Sequence, residues 1–189
     1  MNDADRQRNK RNRTTLFAIF AIFFGVMLVA GLLRFSGWQP SGMKNHGELL
    51  KPPGDLRALT PRLVEGGEYP WNPVERRWRI ALAPPADCGD ECRALARELD
   101  LVWRLFGKDA DHVDILWLGA PPPPDAPRNT ATRVLHPDPA LRAQLPRVDD
   151  PKGVPVYVID PNGFVILRYA PGFDPGGLRA DMAKLLKLM

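Results

Sequence analysis

Two cysteines, Cys88 and Cys92, are the only thiols in a chain of 189 residues. They stand four positions apart in Ala86-Asp87-Cys88-Gly89-Asp90-Glu91-Cys92. Such a pair supports two kinds of chemistry. It can cycle between dithiol and disulfide, exchanging two electrons with a client. When reduced, it can instead hold a soft ion such as Cu(I) between thiolates. The spacing bears on both. In a regular helix, residues four apart carry Cβ atoms about 5 to 6 Å from one another, whereas a disulfide wants about 3.5 to 4.5 Å. A direct bond therefore requires Cys88 to lie in the loop, off the helix. The plain structural alternative is a buried, inert Cys92 beside an incidental loop cysteine.

The elements that must position the pair are outlined by proline, which breaks helix interiors and central strands. The 21 prolines crowd the connections and are absent from Ala86 to Ala120 and from Gly176 to Met189. Trp78 to Ala83 (WRIALA) predicts a short strand that Pro84 and Pro85 end. Cys92, Leu95, Ala96, Leu99, Val102, Trp103 and Phe106 then form one helical stripe, which Gly107 can close. A helix N-terminus at the cysteines favours a thiolate, while Asp87, Asp90 and Glu91 oppose it. Cys88, in the loop, is the expected attacking thiol and Cys92 the resolving one.

Downstream, Val113 to Leu118 alternates as a buried strand, Pro121 to Pro124 begins a rigid connection, and Asp138 to Leu145 suits a short helix. Val154 to Ile159 and Phe164 to Tyr169 flank Asp160-Pro161-Asn162-Gly163, whose Asn-Gly step is a strong hairpin signal. Asp174 can cap a final helix with Pro175 at its first position and Leu178, Met182, Leu185, Leu186 and Met189 on its apolar face. Strand, helix, strand, connection, strand, hairpin, strand, helix is the order of a thioredoxin-like α/β domain, with a mixed central sheet flanked by helices.

The charge distribution separates tail from body. The chain has 26 basic and 22 acidic residues, and five basic residues against two acidic ones lie before position 14. The nearly neutral remainder argues against nucleic acid as a partner. Directly after the tail, Leu16 to Leu33 carries no charge, and 18 residues at about 1.5 Å each cover about 27 Å, close to a bilayer core. A cleaved secretory signal would have a shorter apolar run and a small-x-small cleavage site; neither is found, so the segment is expected to be an uncleaved single-pass anchor. By the positive-inside rule the N-terminus is cytoplasmic and the rest lies outside. In a bacterium that places the domain in the periplasm, where cysteine pairs work as dithiols or disulfides. The expected layout is a cytoplasmic basic tail over 1–15, an anchor over 16–35, a stalk and lead-in over 36–73 with Trp38 at the interface, and the thioredoxin-like domain over 74–189.

Other chemistry is poorly supported. Asp109, Asp111 and Asp114 flank a strand and are expected to be solvated. Gly66-Gly67 and Gly176-Gly177 lack the context of a phosphate loop, and no serine sits in an elbow motif.

The anchor, the strand ending before CGDEC, the helix after it, and VYVIDPNGFVILRY followed by a C-terminal helix resemble the Sco/SenC group of cytochrome c oxidase assembly proteins. The resemblance spans roughly 15 to 189 and rests on the CxxxC pair and on Tyr157, Asp160, Pro161 and Gly163 of the distal turn. It implies a thioredoxin-like copper chaperone or thiol reductant of the bacterial inner membrane, acting on the oxidase copper centre, with an oxidase subunit or another assembly factor as partner. Copper would be held by Cys88 and Cys92, together with a histidine just before the distal strand in that family. Here that stretch, Asp149 to Pro155, has no histidine. Among His46, His112 and His136, only His136 is a candidate third ligand, and His112 is expected at an ordinary surface or edge. Val154-Pro155 falls near the position where thioredoxin-like proteins place a cis-proline beside the cysteines. The implied role is assistance to oxidase assembly by dithiol exchange or transient copper handling. The alternatives are a general periplasmic thiol-disulfide oxidoreductase and a non-catalytic thioredoxin-like interaction module.

Overall fold

The computed structural model describes residues 3–36 and 45–188, which form two separate units. Trp38 and the first part of the expected stalk lie outside the described residues, as does Met189. The first unit is a single helix, α1 (Asp3–Phe35), within which Lys10–Phe35 is long and apolar enough to cross a membrane. Its large apolar side chains, from Leu16 to Phe35, are exposed all round, as suits a helix solvated by lipid.

The second unit is built on six strands: β1 (Glu48–Asp55), β2 (Trp78–Leu82), β3 (Val113–Leu118), β4 (Thr132–Leu135), β5 (Val156–Ile159) and β6 (Phe164–Tyr169). They lie in the order β1-β6-β5-β2-β3-β4. β2, β3 and β4 run parallel, and β5, β6 and β1 add to them antiparallel. The three central strands read as near-continuous apolar runs because both faces of the sheet are covered. Trp78, Ile80, Leu82, Val113, Ile115, Trp117, Val156 and Val158 point to one core, completed by α2 (Gly89–Arg104) and α4 (Pro175–Leu185). Ala81, Leu116, Leu118, Tyr157 and Ile159 point to the other, closed by α3 (Pro139–Ala143) and the lead-in around Leu56 and Tyr69. Asp138 and Asp174 cap α3 and α4 through their side chains, each with a proline in the first turn.

Two strands are additions to the sequence-based order. β1 falls within the expected stalk and lead-in, where Lys51-Pro52-Pro53-Gly54 breaks the alternation and shifts the register between Leu49 and Gly54. β4 is only four residues long, too short for a periodic signal, and its outer edge is covered by Leu63 and Val64.

Asp114 also departs from the expectation of a solvated carboxylate. It is 2% exposed and accepts from the Tyr69 hydroxyl at 2.5 Å, with Arg77 at 3.4 Å. Arg79, its register neighbour on β2, is 1% exposed and donates to Tyr69 Oη at 3.1 Å and to the carbonyls of Asp160 and Pro161 at 3.2 Å. Its guanidinium lies 5.3 Å from the Trp71 ring centroid. A buried charge is tolerable only when paired in this way. Burial, with the Asp114 charge beside it, pushes the Tyr69 hydroxyl far above its ordinary range.

A second buried carboxylate, Asp181 of α4, fixes the start of the domain. It accepts from the backbone N–H groups of His46 and Gly47 at 2.6 and 3.0 Å and from Tyr169 Oη at 2.9 Å, with His46 Nδ1 at 3.2 Å and Lys184 Nζ at 3.1 Å. Burial pushes its pKa up, but the donated hydrogen bonds prevail and hold it at about 2, below the ordinary 3.8. The stabilisation is therefore complete above the ordinary value and is lost as pH falls toward 2. Asp181→Asn is expected to cost about 2 kcal/mol at neutral pH and to flatten the acid limb of thermal unfolding below pH 4.

Candidate functional site

The cysteines sit at the carboxyl end of β2, where Pro84 and Pro85 stop the strand and the chain turns into α2. Cys88 is the N-cap of that helix and lies outside it, so the sulfurs can meet despite the four-residue spacing. They are joined as a disulfide with Cα atoms 5.4 Å apart. Cys92 is 2% exposed within the helix stripe, while Cys88 is half-buried against the same core. The accessible sulfur thus belongs to the loop and the protected one to the helix.

The acidic residues around the pair have partners that sequence spacing does not reveal. Asp90 pairs with Arg93, which also donates to Asp125 at 2.7 Å, tying the Pro121–Pro124 connection to the first turn of α2. Glu91 turns across to the opposite loop and accepts from the Val154 backbone N–H at 2.7 Å. Gly153 leaves room for that contact: at φ +132°, a Cβ there would stand 2.1 Å from Glu91 Oε1. A carboxylate placed beside the sulfurs therefore also fastens the loop that faces them.

That loop carries the stretch where the resemblance implies a histidine. Asp149 bonds Arg142 at 2.5 Å, and Asp150 bonds the buried Arg168 at 2.6 Å. The Lys152 N–H and Arg168 hold the Asp150 carboxyl below its usual range. Val154 packs in the same core as both cysteines, and Pro155 is buried beside it. The Val154–Pro155 bond is not cis; the cis bond among the described residues is Lys51–Pro52.

His136 is exposed just after β4, its backbone N–H donating to the Arg62 carbonyl at 2.8 Å. No group of three or more histidine, cysteine or acidic side chains is arranged to hold a metal among the described residues, so His136 is not brought together with the pair. His112 is exposed, as expected, and His46 is engaged by Asp181. The donor set is therefore two sulfurs, which fit Cu(I) only as a two-thiolate site and only after the cross-link is reduced.

Beside the pair, at the ends of β2 and β3, lies a groove of about 430 Å³. Ala83, Pro84, Ala86, Leu118, Pro137 and Pro139 form its walls. No periodicity or motif in the sequence marks this groove. The signal available was the proline that follows each of the segments brought together there.

Comparison with known proteins places the chain in a family. Residues 78–189 match the transmembrane-like, thioredoxin-like, C-terminal domain family. Among solved structures, yeast Sco1 with copper bound is 16% identical, with a TM-score of 0.52 over 78% of this chain and 96% of that one. BsSco, a member of the Sco family of cytochrome c oxidase assembly proteins, is 12% identical, with a TM-score of 0.51 over 76% and 95% of the two chains. A SCO1/SenC family lipoprotein from Bacillus anthracis str. Ames is 14% identical, with a TM-score of 0.50 over 72% and 98%. At these identities the likeness is one of fold. No curated protein matches the sequence. With the family match covering more than half of the chain, the protein belongs to the transmembrane-like, thioredoxin-like family defined by this C-terminal domain.

Proposed function

We propose that the protein is a membrane-anchored thioredoxin-like factor that assists cytochrome c oxidase assembly through Cys88 and Cys92. The domain faces the periplasm of a bacterial inner membrane, and its client is an oxidase subunit or another assembly factor. The observation that carries this reading is the cross-linked pair itself, with one half-exposed sulfur at the mouth of a helix and one buried behind it. The anchor helix and the Sco-like fold support it.

In the reduced chain, the Cys88 thiolate attacks a client disulfide. A Cys88–client bond forms, and one client sulfur leaves as a thiolate. Cys92 then gives up its proton and attacks Cys88 Sγ, releasing the second client thiol and restoring the Cys88–Cys92 bond. Two electrons pass from the chain to the client, and an external dithiol reductant returns it to the reduced state. The exposed N–H groups of the first turn of α2 favour the thiolate on Cys88. Cu(I), as cargo, would be taken between the two thiolates of the reduced form and passed to a site with more ligands.

The general oxidoreductase reading uses the same thiols and is favoured by the lack of a third donor beside them among the described residues. Titration of the reduced chain with Cu(I) against a competing chelator separates the two. One equivalent bound, lost in both Cys88→Ser and Cys92→Ser and retained in His136→Ala, is the expected result. Absence of stoichiometric binding would remove the copper role and leave thiol exchange alone.

A further inference from the structure

We propose that the groove beside the cysteines is a docking site for an extended segment of the client polypeptide, one carrying a large apolar side chain next to basic residues. The proposal deepens the reading above by naming the kind of segment the cysteine pair meets, and it rests on that reading for its biological sense.

Several observations carry it. The groove, of about 430 Å³, has walls of alanine, leucine and proline drawn from the ends of β2 and β3 and from the turn before α3. That size falls within the range of binding clefts, about 300 to 1,000 Å³. Proline walls are preformed, so an occupant need not order them. Arg142, on the groove's margin, is not free to attract an anion: it donates to the Ala83 carbonyl at 2.9 Å and to Asp149 at 2.5 Å.

The groove also comes close to the cysteines along the chain. Ala86 lines it, and two residues span at most about 7 Å, so a chain lying there reaches Cys88.

Finally, the charge around it contrasts with the rest of the protein. Segments 83–92 and 136–150 hold six carboxylates (Asp87, Asp90, Glu91, Asp138, Asp149 and Asp150) against two guanidinium groups, Arg142 and Arg147, in a chain that is nearly neutral beyond its basic tail. Arg93 and Arg168 offset Asp90 and Asp150. Asp87, Glu91 and Asp138 have no lysine or arginine partner among the described residues, and Asp138 itself lines the groove. Asp138 in the lining, with the exposed Asp87 next in sequence to the groove residue Ala86, favours a basic segment over acidic thiols such as glutathione. The outer edge of β4 is covered by the 62–64 segment, so strand addition at that edge is not the mode of docking.

The test uses the full chain in lipid nanodiscs, oxidised, with fluorescent peptides that carry serine in place of cysteine. One peptide pairs a phenylalanine with flanking lysines, the second replaces the lysines by glutamates, and the third replaces the phenylalanine by serine. The first is expected to bind about ten-fold tighter than either other, with an advantage over the glutamate peptide that shrinks as salt rises. Ala120→Trp, which fills the groove, is expected to abolish the phenylalanine preference. Asp87→Lys, at an exposed position, is expected to reverse the charge preference without filling the groove. Equal binding of the three peptides, or preferences untouched by both variants, would overturn the proposal. So would peptide binding that falls as the chain is concentrated, since a second copy would then be the occupant. Because no peptide can exchange thiols, docking and the thiol reading fail separately.

Discussion

Replacing both cysteines, as Cys88→Ser with Cys92→Ser, is expected to reduce assembled cytochrome c oxidase activity in cells to the level of a deletion while leaving the protein folded and membrane-bound. On the proposed reading the effect is large, because thiol exchange and Cu(I) transfer would share the same two atoms. A serine hydroxyl neither forms a disulfide nor binds a soft ion. The domain is expected to survive, because the pair closes a loop of only a few residues and Cys92 is one of many side chains packed between α2 and the sheet. The single variants are expected to differ. Cys92→Ser leaves the accessible Cys88 able to attack but not to be resolved, so a mixed disulfide with the client accumulates and can be isolated on non-reducing gels. Cys88→Ser leaves a buried thiol and traps nothing. Normal oxidase activity in the double variant would make the domain an interaction module.

The second large effect lies at the other end of the sheet. Arg79→Ala is expected to destabilise the protein by about 3 to 5 kcal/mol, the cost of breaking a buried ion network by removing one member. Its guanidinium holds Tyr69 from the lead-in and the Asp160 and Pro161 carbonyls of the β5–β6 turn, so its loss leaves these acceptors without their donor and loosens the Tyr69 hydroxyl that bonds the buried Asp114. Set against typical stabilities of about 5 to 15 kcal/mol, this is enough to expose the variant to proteolysis. Urea unfolding followed by tryptophan fluorescence measures it. Arg79→Met should recover part of the loss, because its apolar side chain refills the volume that alanine leaves empty. The folded fraction of Arg79→Ala should keep the cysteine chemistry, since Cys88 lies at the opposite end of β2.

The two regions differ in how far the sequence reveals them. The thioredoxin-like order is legible because each central strand is predominantly apolar on both faces and each helix has its stripe, cap or proline boundary. Tyr157, Asp160, Pro161 and Gly163 mark the hairpin directly. The disulfide itself is legible only as a condition, that Cys88 lie off the helix, which its N-cap position meets. β1 and β4 are not legible: one is broken by Pro52, Pro53 and Gly54, and the other is too short. Partners distant in sequence are hidden for a different reason. Glu91 and Val154 are 63 positions apart, and His46 and Asp181 are 135 apart, so no local pattern joins them. Asp114 was the recoverable case. A lone charge in an apolar strand, beside another strand with a lone Arg79 at the matching position, is a signal for a buried polar network, bridged here by the Tyr69 hydroxyl.

The site also separates what the Sco-like fold provides from what this chain's own residues provide. The fold supplies a helix N-terminus, a loop facing it and a sheet to hold both. In place of a histidine, the facing loop offers Gly153 and the Val154 N–H, which the Glu91 carboxylate engages. On the proposed reading, a loop without the histidine that the Sco resemblance implies, and with this positioning contact instead, favours thiol chemistry over copper binding.

The most direct test is the equilibrium potential of the Cys88–Cys92 pair in the full chain. It is read by incubating the protein in glutathione or dithiothreitol buffers and counting alkylated thiols by mass. A working pair is expected to equilibrate reversibly at a potential above about −300 mV, with both cysteines alkylated together. A cross-link that stays closed to below about −300 mV, as structural disulfides do, would contradict the account.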